Sequence, residues 1–268
     1  LAGGGAWPRA PWGCGRGGAV RGIVQAETLG TVVRVDRAHW SAVMFGRERQ
    51  LLMHVIRTAK EGDVEGVMGA MNDFWESTFD SAGSDSWTQR ASTIDGIMRE
   101  KRPTRCLEIG TYCGYSALRI ARSLPEGGKL VTLEVDPLFA AIATKVVEHA
   151  GLAGRVKVLM GTVEQKISRI PGCFEPGPGG GPLPSPMAFV LCDHSKELFV
   201  PDLQLLEGAG LVGPGTVVMG DTTTYPGDEA KDGGKLFDYF KVNPKYQTPS
   251  FMGKTQEGIA ISEWVHLP

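Results

Sequence analysis

Five short runs rich in Val, Leu and Ile, all after Pro103, limit the folds that this chain can adopt. Helix-like stretches separate the early runs, which occupy residues 106–109, 129–135, 155–160, 188–192 and 216–219. Strands that are apolar on both faces and alternate with helices are typical of a mostly parallel sheet covered on both sides. The sequence therefore predicts an α/β fold with helices on both faces of the sheet.

Helical patterns dominate the chain before Pro103. Residues 47–59 and 64–78 carry apolar side chains at helical spacing, and a third helix is expected over residues 88–101. Core packing is the simplest interpretation of these stripes. Pro137 is expected in the first turn of the helix after the second strand, where its missing N–H costs nothing.

The composition weighs against several classes of protein. With 28 Lys and Arg against 30 Asp and Glu, the net charge of −2 gives no reason to expect nucleic acid as a partner. The five cysteines are an odd number without a CxxC pair, which argues against a disulfide framework or a zinc site. No apolar run approaches the roughly 18 residues that cross a bilayer. We therefore expect a cytoplasmic protein with neither a nucleic-acid partner nor a transmembrane segment. A monomer is also expected.

Two Gly-rich segments stand out, one at the start of the chain and one inside the predicted domain. Residues 1–40 are expected to form a flexible extension, and residues 41–268 a single domain. A remnant of a targeting presequence is the alternative for the extension, because its first 26 residues contain three Arg and no acid. Residues 171–187 are expected to be a Pro- and Gly-rich loop insertion without regular structure.

The residues that follow the first three predicted strands suggest a nucleoside site. Ligands of open parallel sheets bind beyond the carboxyl ends of the strands. Glu108 precedes Gly110 and Gly114, whose spacing is not the G-x-G-x-x-G of dinucleotide sites, and taken alone this loop could be an ordinary tight turn. Glu134 lies 26 residues after Glu108, where a carboxylate can accept both hydroxyls of a ribose. Gly161 follows the third strand and could flank an adenine.

Acids also follow the fourth and fifth predicted strands. Asp193 and Asp221 are expected at the same edge of the sheet, where two carboxylates can share a hard cation such as Mg²⁺. Helix capping after a strand is the alternative for both residues.

Two segments of the chain resemble the catechol O-methyltransferase family. They are LEIGTYCGYS with the following EVDP turn, and FVLCDHSKELFVPDL with the later GDTTTYPG. The resemblance covers about residues 45–268 and is weakest before residue 95. It implies a single Rossmann-like methyltransferase domain with a seven-stranded, mostly parallel sheet, extra N-terminal helices and S-adenosylmethionine (SAM) as the methyl donor.

The resemblance also implies a role for individual residues. Lys196 would be the general base, and a lysine near Mg²⁺ would have its pKa lowered by the like charge. The metal would be held by Asp193, Asp221 and Thr222. The SAM pocket would consist of Glu108, Gly110, Tyr112, Tyr115, Ser116, Glu134, Val135, Gly161, Glu164, Asp193 and His194.

Three departures from the family's pattern lie on the substrate side. Thr222 replaces an Asn that completes the metal site, Ser195 replaces a Trp, and Phe251 stands where the family has a Glu that binds the second catechol oxygen. Residues 81–90 show no match to the family's substrate pocket, although Trp75 or Trp87 could be a substrate-gating aromatic residue. Two alternatives therefore stay open: a methyltransferase of another acceptor with a weakened metal site, and a non-catalytic SAM-binding protein.

Overall fold

The computed structural model describes residues 27–28, 31–32, 37–77, 84–174, 186–222, 233–251 and 258–265, without the side chains of 27–45, 84–88 and 233. The chain divides into two compact units, Leu1–Arg47 and Glu48–Pro268. In the first unit, strands β1 (Glu27–Thr28) and β2 (Thr31–Val32) form an antiparallel pair. The other residues of the predicted flexible extension up to residue 36 lie outside the described residues.

Helices precede the main sheet, as predicted. They are α1 (Arg37–Thr58), α2 (Val64–Glu76) and α3 (Ser84–Lys101). Asp63 caps α2, because its carboxylate accepts a hydrogen bond of 3.0 Å from the amide of Gly66. The predicted apolar stripes are core, with Leu51, Val55, Val67 and Met71 buried.

Seven described strands form the main sheet in the order β5-β4-β3-β6-β7-β9-β8. The strands β3 to β7 are parallel, whereas β9 runs antiparallel to both β7 and β8. The strands are β3 (Arg105–Ile109), β4 (Lys129–Glu134), β5 (Val156–Met160), β6 (Phe189–Cys192), β7 (Val217–Asp221), β8 (Tyr246–Gln247) and β9 (Ile259–Trp264). The mostly parallel seven-stranded α/β sheet is thus confirmed.

Helices connect these strands and cover them. They are α4 (Tyr115–Arg122), α5 (Pro137–His149), α6 (Val163–Lys166), α7 (Phe199–Gly208) and α8 (Gly233–Val242). Pro137 begins α5 as expected, with Asp136 as the cap. Within the described residues, no helix combines the length and apolar character of a bilayer-spanning segment.

The Pro- and Gly-rich insertion is more ordered at its start than predicted. Pro171–Cys173 form one turn of 3-10 helix, because the amides of Cys173 and Phe174 bond to carbonyl oxygens three residues earlier. Residues 175–185 of this predicted loop lie outside the described residues.

The sheet is buried on both faces, as its apolar strands predict. Successive side chains of a strand point to opposite faces. Accordingly, Cys106 packs in the core cluster that contains residues of α2 to α5, whereas Leu107 packs in the cluster that contains residues of α7 and α8. With both faces of the sheet covered, a ligand site is expected at the carboxyl ends of the strands.

The ends of β3 and β6 meet at the point where the strand order reverses. Gly110 follows β3 with a φ of +92°, and a side chain there would lie 2.1 Å from the carbonyl oxygen of Asp193. The amide of Asp193 in turn donates to the carbonyl of Ile109 at 2.8 Å. The two strand ends are therefore in direct backbone contact.

This contact predicts that Gly110→Ala is strongly destabilising. The methyl group would overlap backbone, and an L-residue at this φ adds strain, so we expect a loss of about 3 kcal/mol or more in unfolding free energy. Denaturant unfolding measures it. Gly154→Ala is the matched control, because an added methyl group would have no atom within 4 Å there. Equal stabilities for the two variants would contradict the prediction.

Candidate functional site

The loop after β3 is held by the carboxylate at the end of β4. The amides of Thr111 and Tyr112 donate to Oε2 of Glu134 at 3.1 and 2.8 Å, and the amide of Asp136 donates to Oε1 at 2.9 Å. Tyr112 has a φ of +49°, a left-handed conformation that costs of the order of 1 kcal/mol. The bonds to Glu134 offset this cost and fix the shape of the loop.

Glu108 is fully buried beneath this loop. Its Oε2 accepts a hydrogen bond of 2.5 Å from the hydroxyl of Thr132, whereas its Oε1 has no hydrogen-bond partner among the described residues. Burial raises the pKa of Glu108 to about 8, although hydrogen bonds from Ser116 and Thr132 act to lower it. A nearby cation would stabilise the carboxylate and satisfy the unpaired oxygen.

Large apolar side chains are exposed at the ends of β3, β4 and β5. The exposed fractions are 38% for Tyr112, 52% for Val135 and 55% for Met160. All three residues lie at the carboxyl ends of neighbouring strands, the edge at which ligands of open parallel sheets bind. Met160 was not predicted as a site residue, although it directly precedes Gly161. Glu164 is exposed in the first turn of α6.

The ring of Tyr112 packs in an aromatic cluster with Trp75 and Phe139. Its ring stacks on Trp75 with a centroid distance of 6.0 Å and meets the edge of Phe139 at 5.0 Å. Its hydroxyl donates to Oε1 of Glu48 at 2.7 Å. Trp75 itself packs against the core, which agrees with the core interpretation. The side chain of Trp87 lies outside the described residues.

His194 at the end of β6 is oriented by an acid that the sequence analysis did not assign to the site. Its Nε2 lies 3.0 Å from Oδ2 of Asp202, which is buried in the first turn of α7. Its Nδ1 is buried without a hydrogen-bond partner among the described residues. The carboxylate therefore orients the imidazole through Nε2 and leaves Nδ1 without a hydrogen bond from the described residues.

Asp193 and Asp221 converge as predicted, but on a guanidinium. Nη1 of Arg90 lies 2.9 and 2.8 Å from the two carboxylate oxygens of Asp193 and 2.8 Å from Oδ2 of Asp221. The side chains of Arg90 and Asp221 are 9% and 5% exposed, and that of Asp193 is 24% exposed. Burial raises the pKa of Asp193, which Arg90 counteracts. The position between the two acids is therefore filled by a cation of this chain.

The fit of Mg²⁺ to this arrangement is poor. At an effective dielectric constant of about 20, two unit charges 4 Å apart interact by about 4 kcal/mol, so a dication beside Arg90 would meet roughly twice that repulsion. Thr222 is buried and its amide bonds to the carbonyl of Gly258 at 2.9 Å. Among the described residues, no group of three His, Cys, Asp or Glu side chains could hold a metal.

Helix α3 presents Arg90 to the acids from its apolar face. Arg90 is spaced at helical intervals from Ile94 and Ile97, and all three are buried. The helix is tied to α4, because Arg119 pairs with Asp95 at 2.5 Å and donates to the carbonyl of Ala91 at 3.0 Å. A charged residue within an apolar helical stripe was the sequence signal for Arg90, and it lay in the segment that matched nothing in the family.

Tyr115 and Ser116, predicted on the cofactor side, lie next to this arginine. They begin α4 and line a small cavity together with Arg90 and Ile94. The hydroxyl of Tyr115 lies 3.4 Å from Nη1 of Arg119, and Ser116 hydrogen-bonds to Glu108. The cofactor side and the acid pair are therefore connected through the first turn of α4.

Lys196 starts a 3-10 turn, Lys196–Leu198, just after β6. It is half-buried, and its positive charge contributes to lowering the pKa of Asp193. On the substrate side, Phe251 packs against the core and Nζ of Lys101 lies 5.4 Å from the centre of its ring. Phe251 thus provides no acceptor for a second hydroxyl.

Known proteins that resemble this chain are O-methyltransferases. A family model described as O-methyltransferase matches residues 94–171. The catechol O-methyltransferase of Bos taurus is 33% identical over 205 residues, which cover 76% of this chain and 70% of that protein. The catechol O-methyltransferase B of Danio rerio is 35% identical over 195 residues, with coverages of 73% and 70%.

A solved structure with the same fold is the O-methyltransferase of Bacillus cereus in complex with SAH. Its TM-score is 0.53 at 21% identity, and the match covers 80% of this chain and 90% of that one. Sheet order, site position and sequence similarity define a SAM-dependent O-methyltransferase of the α/β class. Within that class, the chain belongs to the catechol O-methyltransferase family. The roles of individual residues stay predictions.

The buried carboxyl of Glu108 should make the stability of the protein depend on pH. Since its pKa in the folded protein is about 8 against an ordinary 4.5, the folded state binds the extra proton and loses stability as the pH rises through this window. We expect the unfolding free energy without cofactor to fall by a few kcal/mol between pH 5 and 8.

The variant Glu108→Gln tests this assignment, because an amide cannot ionise. Urea unfolding at several pH values should show a flatter profile for Glu108→Gln, whereas the exposed control Glu61→Gln should keep the profile of the unmodified protein. Parallel profiles for Glu108→Gln and the unmodified protein would refute it.

Proposed function

We propose that this protein transfers the methyl group of SAM to a hydroxyl of a small, catechol-like molecule, with Lys196 as the general base. The proposal depends above all on the position of Lys196, which follows Asp193 and begins the 3-10 turn at the reversal point of the sheet. Family membership supports SAM as the donor and a hydroxyl as the acceptor.

The polar ends of SAM match the unsatisfied groups of the site. We assign the α-ammonium of SAM to the region of Glu108, Gly110, Tyr115 and Ser116, because Oε1 of Glu108 lacks a partner among the described residues. A carboxylate has about four acceptor sites, and Glu134 uses three of them for backbone amides. Its one remaining acceptor site would serve a single ribose hydroxyl.

The apolar surface at the strand ends matches the adenine. Tyr112, Val135 and Met160 supply exposed apolar area for the base, and Gly161 with Glu164 would border its edge. His194 and Asp193 would close the pocket on the side of β6, where Nδ1 of His194 lacks a partner among the described residues.

The chemistry asks little of the protein beyond position and proton removal. SAM carries an activated methyl group on a sulfonium, so binding in line with the acceptor provides most of the acceleration. The amine of Lys196 takes the proton of the acceptor hydroxyl, the oxygen forms a bond to the methyl carbon, and the carbon–sulfur bond breaks to leave a neutral thioether.

The predicted Mg²⁺ ion is not part of this mechanism. Arg90 already bridges Asp193 and Asp221, the two acids that would hold the ion. Thr222 stands where the family has the Asn that completes the site. A second candidate function is methylation of an acceptor other than a catechol. The packing of Phe251 against the core favours it, because the second hydroxyl of a catechol would find no acceptor there.

The base is tested by substitutions of Lys196. We expect Lys196→Ala to lower kcat about 10²- to 10⁴-fold with little change in the affinity for SAM, since general-base catalysis is lost. Lys196→Arg should not restore activity, because a guanidinium does not accept a proton at neutral pH. The measurements are radiolabelled methyl transfer to catechols and phenols, and calorimetry for SAM.

The exposed Lys145, which pairs with Glu148, provides the matched control Lys145→Ala with unchanged kcat. Activity of Lys196→Ala equal to that of this control would reject the general-base role. A complete lack of product from all acceptors, despite SAM binding, would instead support a non-catalytic SAM-binding protein.

A further inference from the structure

We propose that Arg90 is a built-in cation that replaces the divalent metal of the site, so that methyl transfer by this protein needs no metal ion and no second hydroxyl on the acceptor. This inference rests on the proposed function for its catalytic part. Its structural part, the exclusion of a metal by Arg90, stands independently.

The contacts of Arg90 are those of a shared counter-ion. One nitrogen, Nη1, contacts both oxygens of Asp193 and one oxygen of Asp221 at 2.8 to 2.9 Å. Two carboxylates and one guanidinium carry a net charge of −1, so each acid has a charged partner in the absence of a metal. An arginine stays charged at every pH at which the protein is folded, and this counter-ion is therefore permanent.

Arg90 is also held so that a metal cannot easily displace it. The residue is 7% exposed and belongs to the buried face of α3. Asp95, which belongs to α3 like Arg90, pairs with both Arg119 and Arg122 of α4. Helix α3 therefore cannot shift without breaking these ion pairs. A metal between the acids would require the guanidinium to leave a buried position.

The replacement has a consequence for the acceptor. A divalent ion with open coordination positions binds two adjacent oxygens at once and so favours a vicinal diol. A guanidinium carries only N–H donors and has no open coordination position for two adjacent oxygens. Phe251 also provides no acceptor for a second hydroxyl. An aromatic ring with a single hydroxyl should therefore be as good an acceptor as a catechol.

Metal binding is the first test, and it does not depend on activity. The full chain is titrated with Mn²⁺ and followed by electron paramagnetic resonance, with and without SAM. We expect no binding below about 1 mM and no rise in Tm with Mg²⁺. Binding of Mn²⁺ at micromolar concentration to the unmodified protein would overturn the proposal, whether or not any acceptor is methylated.

Removal of the guanidinium is the second test. In Arg90→Met the two acids lose their counter-ion, so we expect a lower Tm that Mg²⁺ restores, and the appearance of Mn²⁺ binding. Arg90→Lys keeps a charge and should stay insensitive to metal. The control is Arg99→Met, because Arg99 is an exposed arginine of the same helix paired with Glu100. If Mg²⁺ affects the Tm of Arg90→Met no more than that of Arg99→Met, the acids are not a latent metal site.

Activity gives the third test. Methyl transfer by the unmodified protein should change less than about twofold after treatment with EDTA, and kcat/KM for a phenol and the matching catechol should agree within about tenfold. Loss of activity in EDTA with recovery in Mg²⁺ would contradict the proposal. Absence of any product would count against the proposed function alone, because the metal-binding results would still decide the role of Arg90.

Discussion

The backbone contact between the ends of β3 and β6 is the constraint on which the site depends. At Gly110 the chain passes so close to the carbonyl of Asp193 that no side chain fits. This contact brings the loop after β3, the histidine after β6 and the acid pair to one point of the sheet. The strand order reverses between β3 and β6, so that β4 and β5 lie on one side of this point and β7 lies on the other. A ligand bound here can therefore contact residues from both halves of the sheet.

Four carboxyl groups at one edge of the sheet would repel one another unless each had its own compensation. Glu134 is compensated by two backbone amides of the loop after β3 and by the amide of Asp136 in the turn after β4. Asp193 and Asp221 share the guanidinium of Arg90. Glu108 has neither as a direct partner, and burial raises its pKa despite hydrogen bonds from Ser116 and Thr132. The edge therefore has one unfilled electrostatic position, on the side where family membership implies the sulfonium-bearing cofactor.

The sequence predicted the parts of the fold that repeat a simple pattern. Buried parallel strands are continuous apolar runs, so β3 to β7 were recognisable, and the acids after them could be placed at one edge. The partners of those acids were not predictable in the same way. Arg90 reaches them from a helix about 100 residues away, and Asp202 orients His194 from the next helix. Spacing along the chain does not reveal the distant arginine, and it does not show which nearby acid orients the histidine.

The difference between the two sides of the site follows from what each side uses for binding. The loop on the proposed cofactor side is shaped by the close approach at Gly110 and by backbone amides that bond to Glu134. The acceptor side relies on single side chains, and one arginine on α3 is enough to change the charge between Asp193 and Asp221. A fold that preserves the methyl donor can therefore change its acceptor, and its need for a metal, without any change in the sheet.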